Sequence, residues 1–156
     1  MKPLDRIDRR ILALLQTDGR ISHAALAERV SLSPRACLDR VRRLEREGYI
    51  SGYRACIDPR RIGQLVAVTA EVTLTDQRRA TRQVFEKRLL ACPEVIECHL
   101  VSGAFDYIVR FACRDLDHYR ELTSSWIDDP RMAVARVVSC PELETVKEFS
   151  GYPVPQ

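Results

Sequence analysis

No stretch of this 156-residue chain stays apolar for the ~18 residues that a membrane-crossing helix needs. Residues Met1–Arg10 are charged rather than signal-like, so a soluble, cytoplasmic protein without a membrane partner is expected. Six cysteines occur (Cys37, Cys56, Cys92, Cys98, Cys113, Cys140) but no C-x-x-C pair. Zinc ligands usually come in such close pairs, so the cysteines read as small hydrophobes in a reducing compartment and no metal is expected. Catalytic patterns are missing too: there is no G-x-S-x-G, no H-E-x-x-H and no glycine-rich phosphate loop after a strand, and His23, His99 and His118 fall on separate predicted elements. Neither an enzyme nor a cofactor is expected.

Positive charge is present, and it is unevenly spread. Residues 1 to 60 carry 13 Lys and Arg against 8 Asp and Glu, whereas residues 61 to 156 carry 12 against 14. A basic unit coupled to a mildly acidic one fits a polyanion-binding module on a neutral scaffold.

The first third reads as three short helices. Leu4, Ile7, Ile11, Leu14 and Leu15 recur at three- and four-residue steps with Asp5, Arg6, Asp8, Arg9 and Arg10 between them, the pattern of an amphipathic helix. Asp18-Gly19 stops it, Ser22 offers an N-cap oxygen, and Ala25, Leu26, Ala27 and Val30 make a short second helix. In Ser31-Leu32-Ser33-Pro34, Leu32 is placed to plug the core, Ser33 to cap, and Pro34 to open a third helix that runs to Gly48. Cys37, Leu38, Val41 and Leu44 form its inner side; Arg35, Ala36, Asp39, Arg40 and Arg43 form the other.

An outward helix of this kind suits a DNA major groove, with forked polar side chains reaching base edges and cations holding phosphates. Arg35, Asp39 and Arg40 are the candidates for base edges. Arg43, with Arg42 and Arg46, is placed nearer the backbone, and Ser22, Ser33 and Pro34 mark the helix openings that complete the candidate DNA-binding set. Each arginine taken singly is equally a solvated helix charge or half of an i to i+4 pair.

Tyr49–Ile57 reads as an extended segment or small wing, and Asp58-Pro59 with Gly63 as a hinge. From Val66 the apolar period becomes two. A strand through Leu74 precedes a helix from Arg78 to Ala91 with Val84, Phe85 and Leu89 inside. Strands follow at Ile96–Leu100 and Tyr107–Cys113, joined as a hairpin through Gly103. A helix Leu116–Ile127 buries Tyr119, Leu122 and Trp126, and strands are predicted at Val134–Ser139 and Leu143–Phe149. The expected fold is α+β: an N-terminal winged helix-turn-helix (1–50), a linker (51–64), a ferredoxin-like βαββαβ domain (65–149) and a tail (150–156). Helices cover one face of such a sheet, and the uncovered face calls for a second copy of the chain.

The turn Val101-Ser102-Gly103-Ala104-Phe105-Asp106-Tyr107 carries the most chemistry outside the helices. Gly103 lets backbone N–H groups face outward, Asp106 adds a carboxylate and Tyr107 a hydroxyl, a mixture able to clasp a zwitterion. An ordinary hairpin turn, with Asp106 bonding its own backbone, explains the same residues.

Several segments resemble the Lrp/AsnC (leucine-responsive, feast/famine) transcriptional regulators. Leu4-Asp5-Arg6-Ile7-Asp8, Asp18-Gly19-Arg20-Ile21, Leu32-Ser33-Pro34, Arg40-Val41-Arg42-Arg43-Leu44-Glu45 and Gly48-Tyr49-Ile50 are similar to that family's DNA-binding half. Glu97–Gly103, Phe105-Asp106-Tyr107 and Glu144-Thr145-Val146-Lys147 are similar to its effector half. The resemblance implies homodimers built through the ferredoxin-like domains, assembling into tetramers or octamers, double-stranded operator DNA, and an amino-acid effector held between subunits. By position, Gly103, Asp106 and Tyr107 match the effector loop, Val101 lies in the same stretch, and Ser139 matches a polar position on the strand approaching from a neighbour. Ala104 departs from the usual polar residue, and Cys140-Pro141 is unusual in a strand. The resulting expectation is a regulator of amino-acid metabolism; an architectural DNA-compacting protein and an amino-acid-binding metabolic protein are the alternatives.

Overall fold

The computed structural model describes residues 3–154. The chain divides into two compact units, one made of Met1–Ile57 with Lys147–Gln156 and the other of Asp58–Val146.

In the first unit α1 (Arg6–Thr17) begins at a reciprocal cap. The Asp5 carboxylate accepts from the Asp8 N–H at 2.8 Å and the Asp8 carboxylate accepts from the Asp5 N–H at 3.1 Å, satisfying two of the donors that a helix start leaves orphaned. α2 (His23–Arg29) and α3 (Pro34–Arg46) start at Ser22 and Ser33, whose hydroxyls accept from the N–H groups of Ala25 and Ala36. Gly48 ends the third helix with φ +77°, the left-handed conformation a glycine adopts without a Cβ penalty. Ile11, Leu26, Ala27, Val30, Cys37, Val41 and Leu44 form the core, with Leu32 packed against it from the turn.

The second unit starts with a single short turn of helix, α4 (Pro59–Ile62), in the stretch expected to be a hinge. It continues as β1 (Val66–Leu74), α5 (Arg79–Leu90), β2 (Val95–Leu100), β3 (Tyr107–Cys113), α6 (Leu116–Asp128), a 3₁₀ turn (Pro130–Met132) and β4 (Val134–Pro141). The strands form one antiparallel sheet in the order β2-β3-β1-β4. Val68, Ala70, Val72 and Leu74 alternate inward from β1 against Tyr107, Val109, Phe111 and Cys113 of β3. Phe85, Tyr119 and Trp126 close over them from the helices, with the Phe111 and Trp126 ring centroids 5.4 Å apart. The other sheet face carries Thr69, Glu71, Ile108 and Arg110, so polar and apolar groups share it. This is the βαββαβ plan anticipated from the periodicities.

Three expectations need correction, and one reading left open is decided. The strand at Leu143–Phe149 does not form: the ladder with β1 ends at Pro141, and Leu143, Val146 and Phe149 follow at three-residue steps, all exposed, where a half-buried strand needs steps of two. Residues 51–57 are neither helix nor ladder, so Tyr49–Ile57 is the extended-linker alternative without paired strands of its own. Val84 is turned out, leaving Phe85 and Leu89 as the residues α5 buries. All six cysteines are free, and only Cys37 and Cys113 are buried; Cys56, Cys98 and Cys140 face solvent instead of acting as core hydrophobes.

The tail finds its place in the first unit. The Gln16 side-chain amide donates to the Tyr152 carbonyl at 3.0 Å, and its oxygen accepts from the Tyr152 N–H at 2.7 Å, like one residue of a β-ladder. Gly151 has φ +119°, and a Cβ there would meet the Gln16 oxygen at 2.7 Å, so any other residue is strained and pushes the Gln16 side chain aside.

Candidate DNA-binding helix and effector turn

Asp8 is fully buried, and two guanidinium groups reach it. Arg40 Nη1 lies 2.8 Å from Asp8 Oδ1 and 2.6 Å from Asp5 Oδ2, while Arg43 Nη2 lies 2.5 Å from Asp8 Oδ2. Burying a carboxylate is tolerable only with such partners. The Arg40 guanidinium, helped by the Asp8 N–H, holds the Asp5 carboxyl down at about 2, and the two carboxylates push the Arg40 guanidinium up in turn.

This corrects the expectation for Arg40 and Arg43. Both were placed on the outward face of the third helix; both are spent on α1, because at about 100° per residue Arg40 and Arg43 lie roughly 80–140° round the helix from the face that Arg35, Asp39, Arg42 and Arg46 share, on the flank that α1 approaches. The sequence signal existed in Asp5 and Asp8, which were placed only among the polar positions of the first amphipathic helix. Arg35 and Asp39 do face outward and pair with each other at 3.2 Å, with side chains 80% and 55% exposed. Arg42 and Arg46 are exposed as well. Ser22, Ser33 and Pro34 lie at the exposed openings of α2 and α3. The outward cationic set is therefore Arg35, Arg42 and Arg46, beside two helix starts whose remaining N–H groups suit phosphate.

At the β2–β3 turn, Gly103 has φ +144° and open space around it. Val101 donates its N–H to the Asp106 carbonyl at 2.9 Å, closing the turn. The Asp106 carboxylate points inward and is 7% exposed. It accepts from the Leu74 N–H at 2.7 Å and from Gln77 Nε2 at 2.8 Å, so it pins the end of β1 to the turn. Tyr107 is buried, and its hydroxyl donates to Glu86 Oε1 at 2.8 Å. Burial, then the Glu86 carboxylate, pushes that phenol well above the ordinary tyrosine range. Both polar groups thus have structural partners, and Asp106 bonds the backbone of β1 rather than that of its own turn; facing outward from the turn are the backbone around Gly103 and the groove beside Tyr107. That groove is open, holds ≈ 260 Å³ and is lined by Glu86, Leu89, Leu90, Cys98, Leu100 and Tyr107.

Ser139 is elsewhere. It lies on β4, pairs with Ala70 of β1, and shares a 2.6 Å hydrogen bond with the Tyr119 hydroxyl. β4 and the β2–β3 hairpin occupy opposite edges of the sheet, so one chain does not bring Ser139 to the turn. Among the described residues no group of three or more His, Cys, Asp or Glu side chains is arranged to hold a metal ion, and no helix is long and apolar enough to cross a membrane.

A helix-turn-helix with an Arg-bearing third helix, followed by a ferredoxin-like sheet with a glycine turn at its edge, is an arrangement suited to DNA-binding regulators. Comparison with known proteins gives the family. Residues 4–51 match the winged helix-turn-helix DNA-binding family and residues 67–152 match the Lrp/AsnC ligand binding domain. The leucine-responsive regulatory proteins of Escherichia coli (strain K12) and Klebsiella pneumoniae are each 47% identical over 121 residues, which is 78% of this chain and 74% of theirs. A transcriptional regulator of Neisseria meningitidis, solved as its L-Met complex, superposes with a TM-score of 0.89 at 27% identity, covering 97% of each chain. An AsnC family transcriptional regulator from Agrobacterium tumefaciens gives 0.88 at 29% identity over 96% of this chain and 97% of its own. The chain belongs to the Lrp/AsnC family of DNA-binding transcriptional regulators. These relatives are regulators, not enzymes.

Proposed function

We propose that this chain is a cytoplasmic, non-enzymatic regulator of amino-acid metabolism that acts as a homo-oligomer and changes its hold on operator DNA when an amino acid binds between subunits. The relatives' names support the effector class: one set is leucine-responsive and one neighbour was solved with L-Met. On the DNA side the contacts go to Arg35 and Asp39 at base edges and to Arg42, Arg46 and the starts of α2 and α3 at phosphates, with Arg40 and Arg43 fixing the helix that carries them. On the effector side the turn at Val101–Tyr107 offers the N–H groups around Gly103 to a carboxylate, and Ser139 arrives from a neighbouring copy.

The observation that carries the inter-subunit site is the strand order. Three strand spacings separate β4 from β2, about 14 Å at the usual spacing, too far for Ser139 and the Gly103 turn of one chain to hold one amino acid together. Subunit mixing tests it. Chains bearing Gly103→Val and chains bearing Ser139→Ala each lose the effector response of operator binding; a mixture of the two regains part of it, because some sites pair an intact turn with an intact Ser139. No recovery in a mixture shown to exchange subunits overturns the shared site. Thermal-shift screening against the twenty amino acids identifies the effector, since a ligand of the native state raises its melting temperature; a flat screen overturns the effector half of the reading.

A further inference from the structure

The segment after β4 is fixed at both ends, each end to a different unit. At its root Glu142 donates its N–H to the Ala67 carbonyl at 2.9 Å. The Glu142 carboxylate accepts from Arg110 Nε at 2.6 Å, Arg110 Nη2 at 2.7 Å and Thr69 Oγ1 at 3.1 Å. At the far end Gln16 of α1 grips both backbone groups of Tyr152. Residues 143–150 between these anchors form neither helix nor ladder, and Leu143, Val146 and Phe149 lie in solvent.

The far anchor is built to open. Its two hydrogen bonds are neutral and exposed, and such bonds add little net stability because water replaces them. Phe149 and Tyr152 pack on each other, with ring centroids 5.1 Å apart, yet each stays 75% exposed, so closing buries little apolar surface. The anchor also recloses readily. A short tether holds its end at high effective concentration, and Gly151, lacking a Cβ, lets the Gln16 side chain lie against it.

We infer that residues 142–152 are a releasable second tether of the DNA-binding unit. With the clasp closed, that unit is joined to its own sheet by two chain segments, the linker that leaves at Ile57 and this one. A body held at two points keeps only rotation about the line through them. With the clasp open, the unit hangs on the linker alone and pivots in every direction. The closed fraction therefore sets how narrowly the third helices of an assembly are positioned, and with it which half-site spacings they fit. The effector side of this inference rests on the function proposed above. Ser139 stands three positions before Glu142, so an amino acid held there acts at the root of the tether and shifts the clasp by its differential affinity for the two forms.

The experiment compares three full-length chains: the wild type, Gln16→Ala, and a chain with Gly-Ser-Gly-Ser inserted after Leu143. Alanine suits an exposed helix position, and the insertion keeps both anchors while slackening the segment, which a merely local role of the clasp would not register. Without any ligand, backbone amide relaxation by NMR is expected to show α1, α2 and α3 tumbling with the second unit in the wild type and independently of it in both variants, with circular dichroism unchanged. Equal relaxation in the three chains overturns the tether. L-leucine and L-methionine, the amino acids in the relatives' names, are the probes of the effector side. Where either changes wild-type operator affinity by about fivefold or more, the scale of an ordinary allosteric coupling, both variants are expected to keep its thermal shift and lose most of the affinity change. Variants that respond as the wild type does overturn the inference and leave the effector reading intact. A thermal-shift screen flat for all twenty amino acids counts against the effector reading alone, since the relaxation comparison needs no ligand and decides the tether by itself.

Discussion

Asp8 joins two helices through two guanidinium groups, and its removal leaves both cations without their buried partner. Breaking such a pair from one side costs about 3–5 kcal/mol, so Asp8→Ala is expected to lower the melting temperature of the first unit sharply and to weaken operator binding only through unfolding. Arg35→Ala makes the opposite prediction. Its side chain is 80% exposed, so stability stays within about 0.5 kcal/mol while operator affinity falls by about 1–3 kcal/mol and base preference relaxes; anisotropy titrations on folded samples separate the two. The clamp also sets a pH dependence. Asp5 has its pKa lowered from 3.8 to about 2 by Arg40, so its contribution is complete above pH 3.8 and disappears as the pH falls through 2. Thermal melts between pH 5 and pH 2 are expected to show that loss, and Asp5→Asn to flatten it. In the second unit, Asp106→Ala strands the Leu74 N–H, a cost of about 1–3 kcal/mol, so its effect on effector response is to be read only after its melt.

Among the elements, the tail clasped by Gln16 has the narrowest tolerance. Gly151→Ala must displace Gln16 or leave the left-handed region, and chemical-shift changes confined to α1 and residues 149–153 are the expected signature. Nothing in the sequence pattern announced this clasp. Its partners lie 136 positions apart, and the residues just before the tail, Leu143–Phe149, invited a strand reading, with Thr145 and Val146 being β-formers. The elements that were legible are those whose own burial fixes their period: β1 buries every second residue and α3 every third or fourth, so each wrote its inner face into the chain. Outer faces are written less clearly. An arginine at position 40 looks the same whether it faces water, a base or a buried carboxylate, and only the approach of α1 decides. For the same reason Ser139 and Gly103 could be nominated but not joined, since strand order follows from packing rather than from periodicity.

At the scale of the whole molecule, a net charge of +3 conceals a basic first third beside a mildly acidic remainder, so operator binding is expected to weaken steeply with salt. Each phosphate contact contributes a slope of about −0.9 in log K against log salt, and Arg46→Ala is expected to remove about one such contact without changing sequence preference. The unit that bears this charge is not one continuous piece of chain. Its backbone leaves at Ile57 and resumes at Lys147, so a gene fragment stopped at the linker encodes a DNA-binding half that lacks its own last layer. Gln16 of such a fragment hydrogen-bonds to water instead of Tyr152. Dissecting the protein at the linker therefore measures a lesser object than the intact chain carries, and supplying residues 147–154 as a separate peptide is expected to restore part of the difference.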